Sequence, residues 1–529
     1  MEHHHSSSLI SSLPFFLFSL LGFILFISQL LKLLAKKSKA LSKKTTPNLP
    51  PGPWTLPLIG SIHHFFGKSP PHHRLRDLAQ KYGPLMHLKL GEASIMVVSS
   101  PEVAKEVFKT YDTIFAERPK QLIGSDILCY GSTDIAMARY GGYWKQLRRI
   151  SSVELLGPKR VRSFKSIREE EVMNLITWIS ANNGSCVNLS KKVASMTSAI
   201  TARATFGEKC KDEEEFILLL KNLGKIVERL FVVFSLFPSH TWLHLISRTQ
   251  YEAEKLHKEF DMIVENIIGE KLKKKRNGSS GEESSKVEDL LSILLNLVED
   301  HGTLEYPLTM DNVKAIVFDM FVAGVETSSA VIEWAISELV KNPKAMARAQ
   351  EEVRKAFGNN GYTKESSSAL ENLTYLRAVI KETLRLHPPF PILLPRECRE
   401  TCEINGYTIA AGSKVIVNAW AIGRDPKYWG GEEDAESFRP ERFLESSIDY
   451  KGSNFEFIPF GAGRRICPGL YFAVSSIELC VAHLLYYFNW QVPNDGEELD
   501  MTEDLGSTAR RKNDLFLVPM AWNDSNNNI

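Results

Sequence analysis

The sequence FIPFGAGRRICPG, from Phe457 to Gly469, places Cys467 in a loop that is rich in glycine. Glycines allow a tight loop and a close approach of the backbone to a flat ligand. Amide groups that point at the sulfur of Cys467 would donate hydrogen bonds to it and keep it a thiolate, the form that binds metals. The apolar run that follows predicts a helix, and the start of a helix also favours a negative sulfur. The alternative is a structural turn with a buried, inert cysteine.

The composition of the 529-residue chain is that of a globular protein, with 43% apolar and 24% charged residues. This balance supplies ample material for a core. The formal net charge of +1 gives no reason to expect nucleic-acid binding. The seven cysteines are odd in number and have no repeated spacing, which argues against a disulfide framework and favours a reducing compartment.

The amino terminus carries an uncharged apolar run from Leu13 to Leu31, long enough to cross the hydrocarbon layer of a membrane. A lysine cluster follows it, which predicts that the body of the protein faces the cytosol. A cleaved secretory signal is the alternative, but the length of the run and the position of the lysines favour an anchor. The segment PNLPPGP, from Pro47 to Pro53, then predicts an extended hinge.

These features predict four regions. They are a tail and one transmembrane helix (1–34), a basic segment and proline-rich hinge (35–53), a single globular body (54–522) and a polar, disordered tail (523–529). The patterns in the body predict mostly helix with a few short strands, so we expect a mainly α fold with small β-sheets.

Within the body, Ser163–Ile179 and Gln250–Lys275 predict helices, and Leu85–Ser99 predicts a β-hairpin. Further strand signals lie near Glu403–Ile409 and Lys414–Val417.

One predicted helix is unusually long. Thr309 is a plausible N-cap, and the pattern continues to Val340, just before Asn342-Pro343. Gly324 in its middle costs about 1 kcal/mol relative to alanine. A long helix that accepts such a defect invites a functional explanation.

The cysteine loop carries a specific pattern. Phe460, Gly463, Arg465, Cys467 and Gly469 fall in the spacing F-x-x-G-x-R-x-C-x-G. This resembles the cysteine-ligand loop of the cytochrome P-450 enzymes. The resemblance implies the cytochrome P-450 fold, preceded here by the transmembrane helix. The resemblance implies that these residues bind haem b (iron protoporphyrin IX), with Cys467 as the axial ligand of the iron and Arg465 in reach of a propionate.

Two further segments match the same family. Lys381–Arg385 (KETLR) resembles its E-x-x-R signature, and Pro440–Phe443 (PERF) resembles its downstream P-E-R-F segment. Glu382 and Arg385 are three apart on a helix and can pair. The resemblance adds Arg442 to form a triad, which we assign to folding and haem retention rather than to chemistry.

The long helix contains AGVETS, from Ala323 to Ser328, which resembles the oxygen-activation motif of the family. The resemblance implies that Gly324 opens a groove beside the iron. Thr327 would hold dioxygen and waters, and Glu326 would support proton delivery. The alternative is a helix with a polar stripe and a local threonine hydrogen bond.

Weaker signals concern the propionates. Trp144 and Arg148 form W-x-x-x-R, similar to a family helix that contacts a haem propionate, and Arg396 is a further candidate. Ordinary surface arginines are the alternative for Arg148 and Arg396.

By the same resemblance, the substrate pocket would include four apolar residues, namely Phe321, Ala323, Ile392 and Leu393. An apolar lining implies a lipophilic substrate.

The resemblance covers nearly the whole chain, and PFGAGRRICPG (459–469) with KETLRLHPPFPILLPRE (381–397) resembles the plant microsomal branch, clan 71. It implies a haem-dependent monooxygenase of the endoplasmic reticulum membrane that takes electrons from a separate NADPH-dependent reductase. A terpenoid is the expected substrate. A haem-thiolate isomerase or dehydratase without a reductase is the alternative, disfavoured by Glu326 and Thr327, and a non-catalytic haem sensor or membrane scaffold is a third hypothesis.

Overall fold

The computed structural model describes residues 48–119, 123–210, 213–236, 248–277, 287–300, 302, 304–358, 366–493, 498–504, 506 and 508–522. The predicted transmembrane helix, residues 35–47 and the predicted tail 523–529 lie outside these residues. The described residues of 50–405 and 409–522 form one compact unit, which holds every site discussed below.

The larger unit is built mainly from α-helices, numbered here in chain order. They are α1 (Pro71–Tyr82), α2 (Pro101–Lys105), α3 (Asp112–Phe115), α4 (Ile123–Leu128), α5 (Gly142–Ile150), α6 (Pro158–Ser163), α7 (Lys165–Ser180), α8 (Leu189–Phe206), α9 (Glu213–Leu236), α10 (Arg248–Arg276), α11 (Leu290–Glu299), α12 (Met310–Lys341), α13 (Pro343–Phe357), α14 (Thr374–Leu386), α15 (Ala419–Ile422), α16 (Pro426–Trp429), α17 (Glu432–Glu436) and α18 (Leu470–Tyr487). Short 3₁₀ turns at Ile62–Phe65, Ser366–Asn372, Pro440–Phe443 and Gly463–Arg465 and π turns at Glu106–Thr110 and Ser151–Leu155 complete the helical part.

The strands are short and lie in small sheets. They are β1 (Leu85–Leu90), β2 (Ala93–Val98), β3 (Val187–Asn188), β4 (Arg396–Glu397), β5 (Cys402–Ile404), β6 (Tyr407–Ile409), β7 (Lys414–Val417), β8 (Phe488–Gln491) and β9 (Phe516–Ala521). One sheet has the order β1-β2-β7-β4, with β2 and β7 parallel and the other pairs antiparallel. A second sheet joins β3, β9 and β8. The expectation of a mainly α fold with small β-sheets is therefore confirmed.

The long helix forms as the sequence predicts. Thr309 is its N-cap, with the Thr309 hydroxyl accepting from the Asn312 amide at 3.3 Å and the Asn312 side chain accepting from the Thr309 amide at 2.9 Å. This reciprocal arrangement satisfies amides that a helix start leaves without partners. The helix ends at Lys341, and Pro343 begins α13.

Helices α12 and α18 are the most apolar long helices of the described chain, and each is long enough to cross a membrane. Most of their residues are buried against other helices, including Trp334 on α12 and Cys480 on α18. Their length and apolarity therefore reflect their place in the protein core.

The other predicted elements also form, with small changes in their bounds. The hairpin around Gly91 is β1 and β2, with Leu85 opposite Val98. The helix predicted from Ser163 breaks at Phe164, which separates α6 from α7. The predicted helix Gln250–Lys275 lies within α10.

Candidate functional site

The loop before α18 is shaped by a close contact that only glycine permits. Gly463 has a φ of +69°, and a Cβ at this position would lie 2.5 Å from the carbonyl oxygen of Phe108 and 2.6 Å from Oδ1 of Asp112. The chain then turns back, so that the Cys467 amide donates to the Phe460 carbonyl at 3.0 Å. The glycine at 463 therefore sets the path by which the loop reaches Cys467.

The sulfur of Cys467 lies in an environment with opposing influences. Burial raises the pKa of the Cys467 thiol, while hydrogen bonds from the amides of Gly469 and Leu470 and the positive charge of Arg148 lower it. The two amides and the arginine all favour the thiolate, and a coordinated metal ion would deprotonate the thiol outright. The loop thus offers a sulfur suited to bind a metal ion, and the role of Cys467 as the iron ligand stays a prediction.

Three arginines lie beside this loop, of which Arg118 and Arg396 are buried and Arg465 is half-buried. Arg465 donates to the carbonyls of Ala116 and Ala138 at 2.9 and 2.6 Å. Arg396 donates to those of Phe115 and Ala462 at 3.3 and 3.2 Å.

The third guanidinium belongs to Arg118, which the sequence analysis missed. It donates to the carbonyls of Ala136, Leu394 and Pro395 at 2.8, 3.0 and 2.7 Å. Arg118 lies in an irregular segment with no periodic pattern, so no sequence signal marked it.

The charges of this arginine cluster (Arg118, Arg396 and Arg465) are close enough to act on each other. Burial lowers the pKa of Arg465, and the charges of Arg118 and Arg396 lower it further. Burial also lowers the pKa of Arg396, with a further contribution from Arg118. Because the three guanidinium groups donate their hydrogen bonds to neutral backbone carbonyls, an anionic ligand would stabilise the cluster. The cluster and the sulfur ligand together fit haem, which has carboxylate propionates and an iron.

Helix α5 supports this cluster. The indole N–H of Trp144 donates to the Ile135 carbonyl at 3.1 Å, and its ring lies 4.1 Å from the guanidinium carbon of Arg465. Trp144 therefore orients Arg465, in addition to any contact with a propionate. Arg148, one turn later, is half-buried, and burial lowers its pKa while the charge of Cys467 raises it.

The segment Ala323–Ser328 lies in the middle of α12. Ala323 is exposed, and the Thr327 hydroxyl donates to the Ala323 carbonyl at 2.5 Å. This is the local bond of the structural alternative, yet a hydroxyl oxygen keeps lone pairs that can accept from another group. Gly324 faces Thr201, whose Oγ1 would lie 3.5 Å from an added Cβ.

Glu326 forms an ion pair that the sequence did not reveal. Its Oε1 lies 3.3 Å from Arg510, which also pairs with Asp504 at 2.8 Å. The side chains of Glu326 and Arg510 are 28% and 27% exposed, so this carboxylate has access to solvent.

The predicted triad is formed and buried. Arg385 contacts both oxygens of Glu382 at 2.7 and 2.8 Å, and Arg442 contacts Glu382 at 2.9 Å. Arg385 also donates to three backbone carbonyls, those of Gly423, Ala435 and Ser437. The triad therefore joins α14 to the irregular segment that precedes the cysteine loop.

The four predicted pocket residues differ in their exposure and in the part of the fold where they lie. Ala323 is exposed, and Leu393 has its Cδ1 3.8 Å from the position of a Cβ on Gly461, so it lies at the cysteine loop. Ile392 packs against the core cluster beside β1 and β2, and its assignment stays a prediction.

Phe321 lies inside the protein core, and its assignment to the pocket stays a prediction. Its side chain is fully buried, with ring centroids 5.1 Å from Phe206 and 5.0 Å from Phe216. Phe321 therefore takes part in the packing between α12, α8 and α9.

Comparison with known proteins agrees with this site. The family model described as cytochrome P-450 matches residues 50–518. Tabersonine 16-hydroxylase 1 of Catharanthus roseus is 50% identical over 513 residues, which cover 97% of this chain and 99% of that protein. Cytochrome P-450 71D10 of Glycine max is 50% identical over 505 residues, which cover 94% and 96%.

A solved structure shows the same fold. A zebra fish cytochrome P-450 with progesterone has a TM-score of 0.73 and 26% sequence identity, covering 86% of this chain and all of that one. The cysteine loop, the arginine cluster, the family match and these relatives lead to one conclusion: the chain belongs to the cytochrome P-450 family, in its plant clan 71.

Proposed function

We propose that this cytochrome P-450 monooxygenase inserts one oxygen atom from O₂ into a lipophilic small molecule of plant specialised metabolism, of the terpenoid class. Electrons would come from NADPH through a separate reductase. Haem, when bound, supplies the activation of oxygen. The observation that carries the proposal is the Thr327 hydroxyl on α12, beside the exposed Ala323 and next to the solvent-accessible carboxylate of Glu326.

The residues would divide the work as follows. Cys467 would ligate the iron, and the arginine cluster, with Trp144 beneath Arg465, would hold the propionates. Thr327 would hold a water by its hydroxyl oxygen. Glu326, 28% exposed, would exchange protons with solvent and pass them toward Thr327. The triad would keep the fold that retains haem.

The first experiment asks whether oxygen is inserted. The haem-loaded protein is combined with a plant NADPH-dependent reductase, and products of a terpenoid panel are read by mass spectrometry under ¹⁸O₂. We expect a product that requires NADPH and gains one ¹⁸O atom. A product formed without NADPH and without ¹⁸O would instead establish an isomerase or dehydratase and reject the monooxygenation.

The second experiment concerns the membrane. We propose that residues 13–31 anchor the protein in the endoplasmic reticulum with its catalytic domain in the cytosol. Fractionation of cells that express the full chain should place the protein with microsomes, with the domain digested by added protease. A chain without residues 1–34 that pellets with microsomes as fully as the complete chain would contradict the anchor.

A further inference from the structure

A second polar cluster lies apart from the cysteine loop and takes no part in the proposed chemistry. It consists of His72 and His73 at the start of α1, His387 directly after α14, and Glu503 near the carboxyl terminus. Nε2 of His72 lies 2.8 Å and Nε2 of His73 lies 3.5 Å from the same oxygen, Oε2 of Glu503. The side chains of His72, His387 and Glu503 are almost fully buried, whereas His73 is 33% exposed.

Two ring nitrogens of this cluster lack an ordinary hydrogen bond. Nε2 of His73 and Nδ1 of His387 are both buried atoms without a hydrogen-bond partner among the described residues. Each lies 3.5 Å from an oxygen of Glu503, Nε2 of His73 from Oε2 and Nδ1 of His387 from Oε1. Three imidazoles therefore point at one buried carboxylate, and the contacts at 3.5 Å are too long to be good hydrogen bonds.

The spacing suits a metal ion. The ligand atoms of His72, His73 and Glu503 all lie within 4.8 Å of one another. Zinc bound to nitrogen and oxygen at about 2.0–2.1 Å in a tetrahedron holds its ligand atoms about 3.4 Å apart. The distances from Oε2 of Glu503 to Nε2 of His72 and of His73, 2.8 and 3.5 Å, lie on either side of this separation.

Residues around the three proposed ligands hold the ligand side chains in position. Nε2 of His387 lies 2.8 Å from Oε1 of Glu338, so a carboxylate–imidazole–carboxylate chain orients Glu503. Carboxylates that orient imidazole and carboxylate groups are common around zinc. The ring of His73 stacks on Trp420 with centroids 4.1 Å apart, which fixes its direction.

The charges are also compatible. Glu503 and Glu338 offer two negative charges to a divalent ion. The charge of Arg424 acts on both His72 and Glu503, and Arg424 is itself paired with Glu436 at 3.0 Å.

We propose that His72, His73 and Glu503 bind one Zn²⁺ ion, with His387 and Glu338 orienting the carboxylate. Imidazole and carboxylate groups are typical zinc ligands, and three protein ligands leave the fourth tetrahedral position to a water molecule, which the partly exposed His73 side admits. The ion joins the start of α1 to the segment of Glu503, which bridges to Arg511. Asp504, the next residue, pairs with Arg510, the partner of Glu326. The ion therefore holds in place the segment that bears on the proposed proton donor.

The test measures zinc in the full-length, haem-loaded protein. The wild type, His73→Ala and Glu503→Gln are dialysed against Zn²⁺ and then against buffer, and bound zinc is measured by elemental mass spectrometry. We expect the wild type to keep one more equivalent of zinc per haem than either variant. His3, His4 and His5 are present in every protein, so zinc bound there cancels in the difference.

A matched control is the double variant of His63 and His64 to alanine. These two histidines are also adjacent and also pack on a tryptophan, Trp54, but no carboxylate pairs with them among the described residues. The double variant should keep the same zinc as the wild type. Equal zinc content in the wild type and in His73→Ala would overturn the proposed site. The histidines and Glu503 would then form a hydrogen-bonded cluster without a metal ion.

Chelation gives a second readout that does not depend on catalysis. Removal of zinc with dipicolinate should lower the unfolding temperature of the wild type and leave that of His73→Ala unchanged, because a ligand stabilises only the state that binds it. His73 is the useful variant if Glu503→Gln fails to fold, since its side chain is partly exposed. Identical chelator effects on the two proteins would refute the proposal.

Discussion

Two acid–arginine pairs on neighbouring helices have the same chemistry and opposite settings. Glu382 and Arg385 on α14 are 0% exposed and 2.7 Å apart, and their remaining hydrogen bonds are also made inside the protein. Glu326 on α12 and Arg510 are 28% and 27% exposed and 3.3 Å apart. The first pair is fixed by what surrounds it, whereas the second can exchange protons with water. The exposure of an ion pair therefore decides whether its carboxylate is fixed within the core or open to solvent.

Removal of the buried arginine should have the largest effect. Arg385→Ala leaves the Glu382 carboxylate buried with only Arg442 opposite it, which costs about 3–5 kcal/mol of folding free energy. We expect loss of haem and of soluble protein, measured by the reduced carbon monoxide spectrum and by thermal unfolding. Arg385→Lys should not restore haem binding or soluble protein, because lysine cannot reproduce the forked hydrogen bonds of arginine. Arg348→Ala, which removes an exposed partner of Glu441, is the control and should keep its haem.

A half-buried carboxylate that forms no salt bridge with an arginine among the described residues gives a third case. Glu333 on α12 accepts from the Ser190 hydroxyl at 2.6 Å, and burial raises its pKa to about 7. Because the folded pKa lies above the unfolded value, the protein should lose on the order of 2 kcal/mol of stability as the pH rises from about 4.5 to 7.

Glu333→Gln should remove this loss. Thermal unfolding of the variant should depend less on pH between 4.5 and 7 than that of the wild type. Parallel pH curves for the two proteins would show that Glu333 is ionised in the folded state without a penalty.

Thr327→Ala tests the chemistry of the exposed region. The variant should keep haem and consume NADPH, but product per NADPH should fall about tenfold or more and hydrogen peroxide should rise, since the hydroxyl that directs protons is gone. Ser476→Ala removes the same kind of local hydroxyl–carbonyl bond from α18 and should leave the yield unchanged. An unchanged yield in Thr327→Ala would remove Thr327 from the proposed machinery.

The exposed pair itself should give the smallest effect on stability. Arg510→Gln should change the unfolding free energy by at most about 1 kcal/mol, because exposed ion pairs contribute little. The pH profile of product formation should nevertheless change, since Glu326 loses its neighbouring positive charge. If Arg510→Gln lost as much unfolding free energy as Arg385→Ala, the exposed pair would contribute to folding as the buried pair does, contrary to this expectation.

The features that the sequence predicted correctly are those that a few neighbouring residues determine. The cap at Thr309 and the pairing of Glu382 with Arg385 depend on residues three apart, and both formed. Arg118 and Arg510 reach their partners from segments far along the chain, and no local pattern records such a meeting. The ring contacts of Phe321 with Phe206 and Phe216 also join residues far apart along the chain, so no local pattern predicted them.

The arginine cluster has a consequence for the way the enzyme matures. Its three guanidinium groups are gathered by carbonyls from widely separated segments, including those of Ala116, Ala136 and Leu394. Like charges brought together in a protein interior repel each other, so these segments should close last and around the acidic edge of the cofactor. Cellular haem supply would then limit the yield of finished enzyme, and newly made chains that wait for it would depend on chaperones.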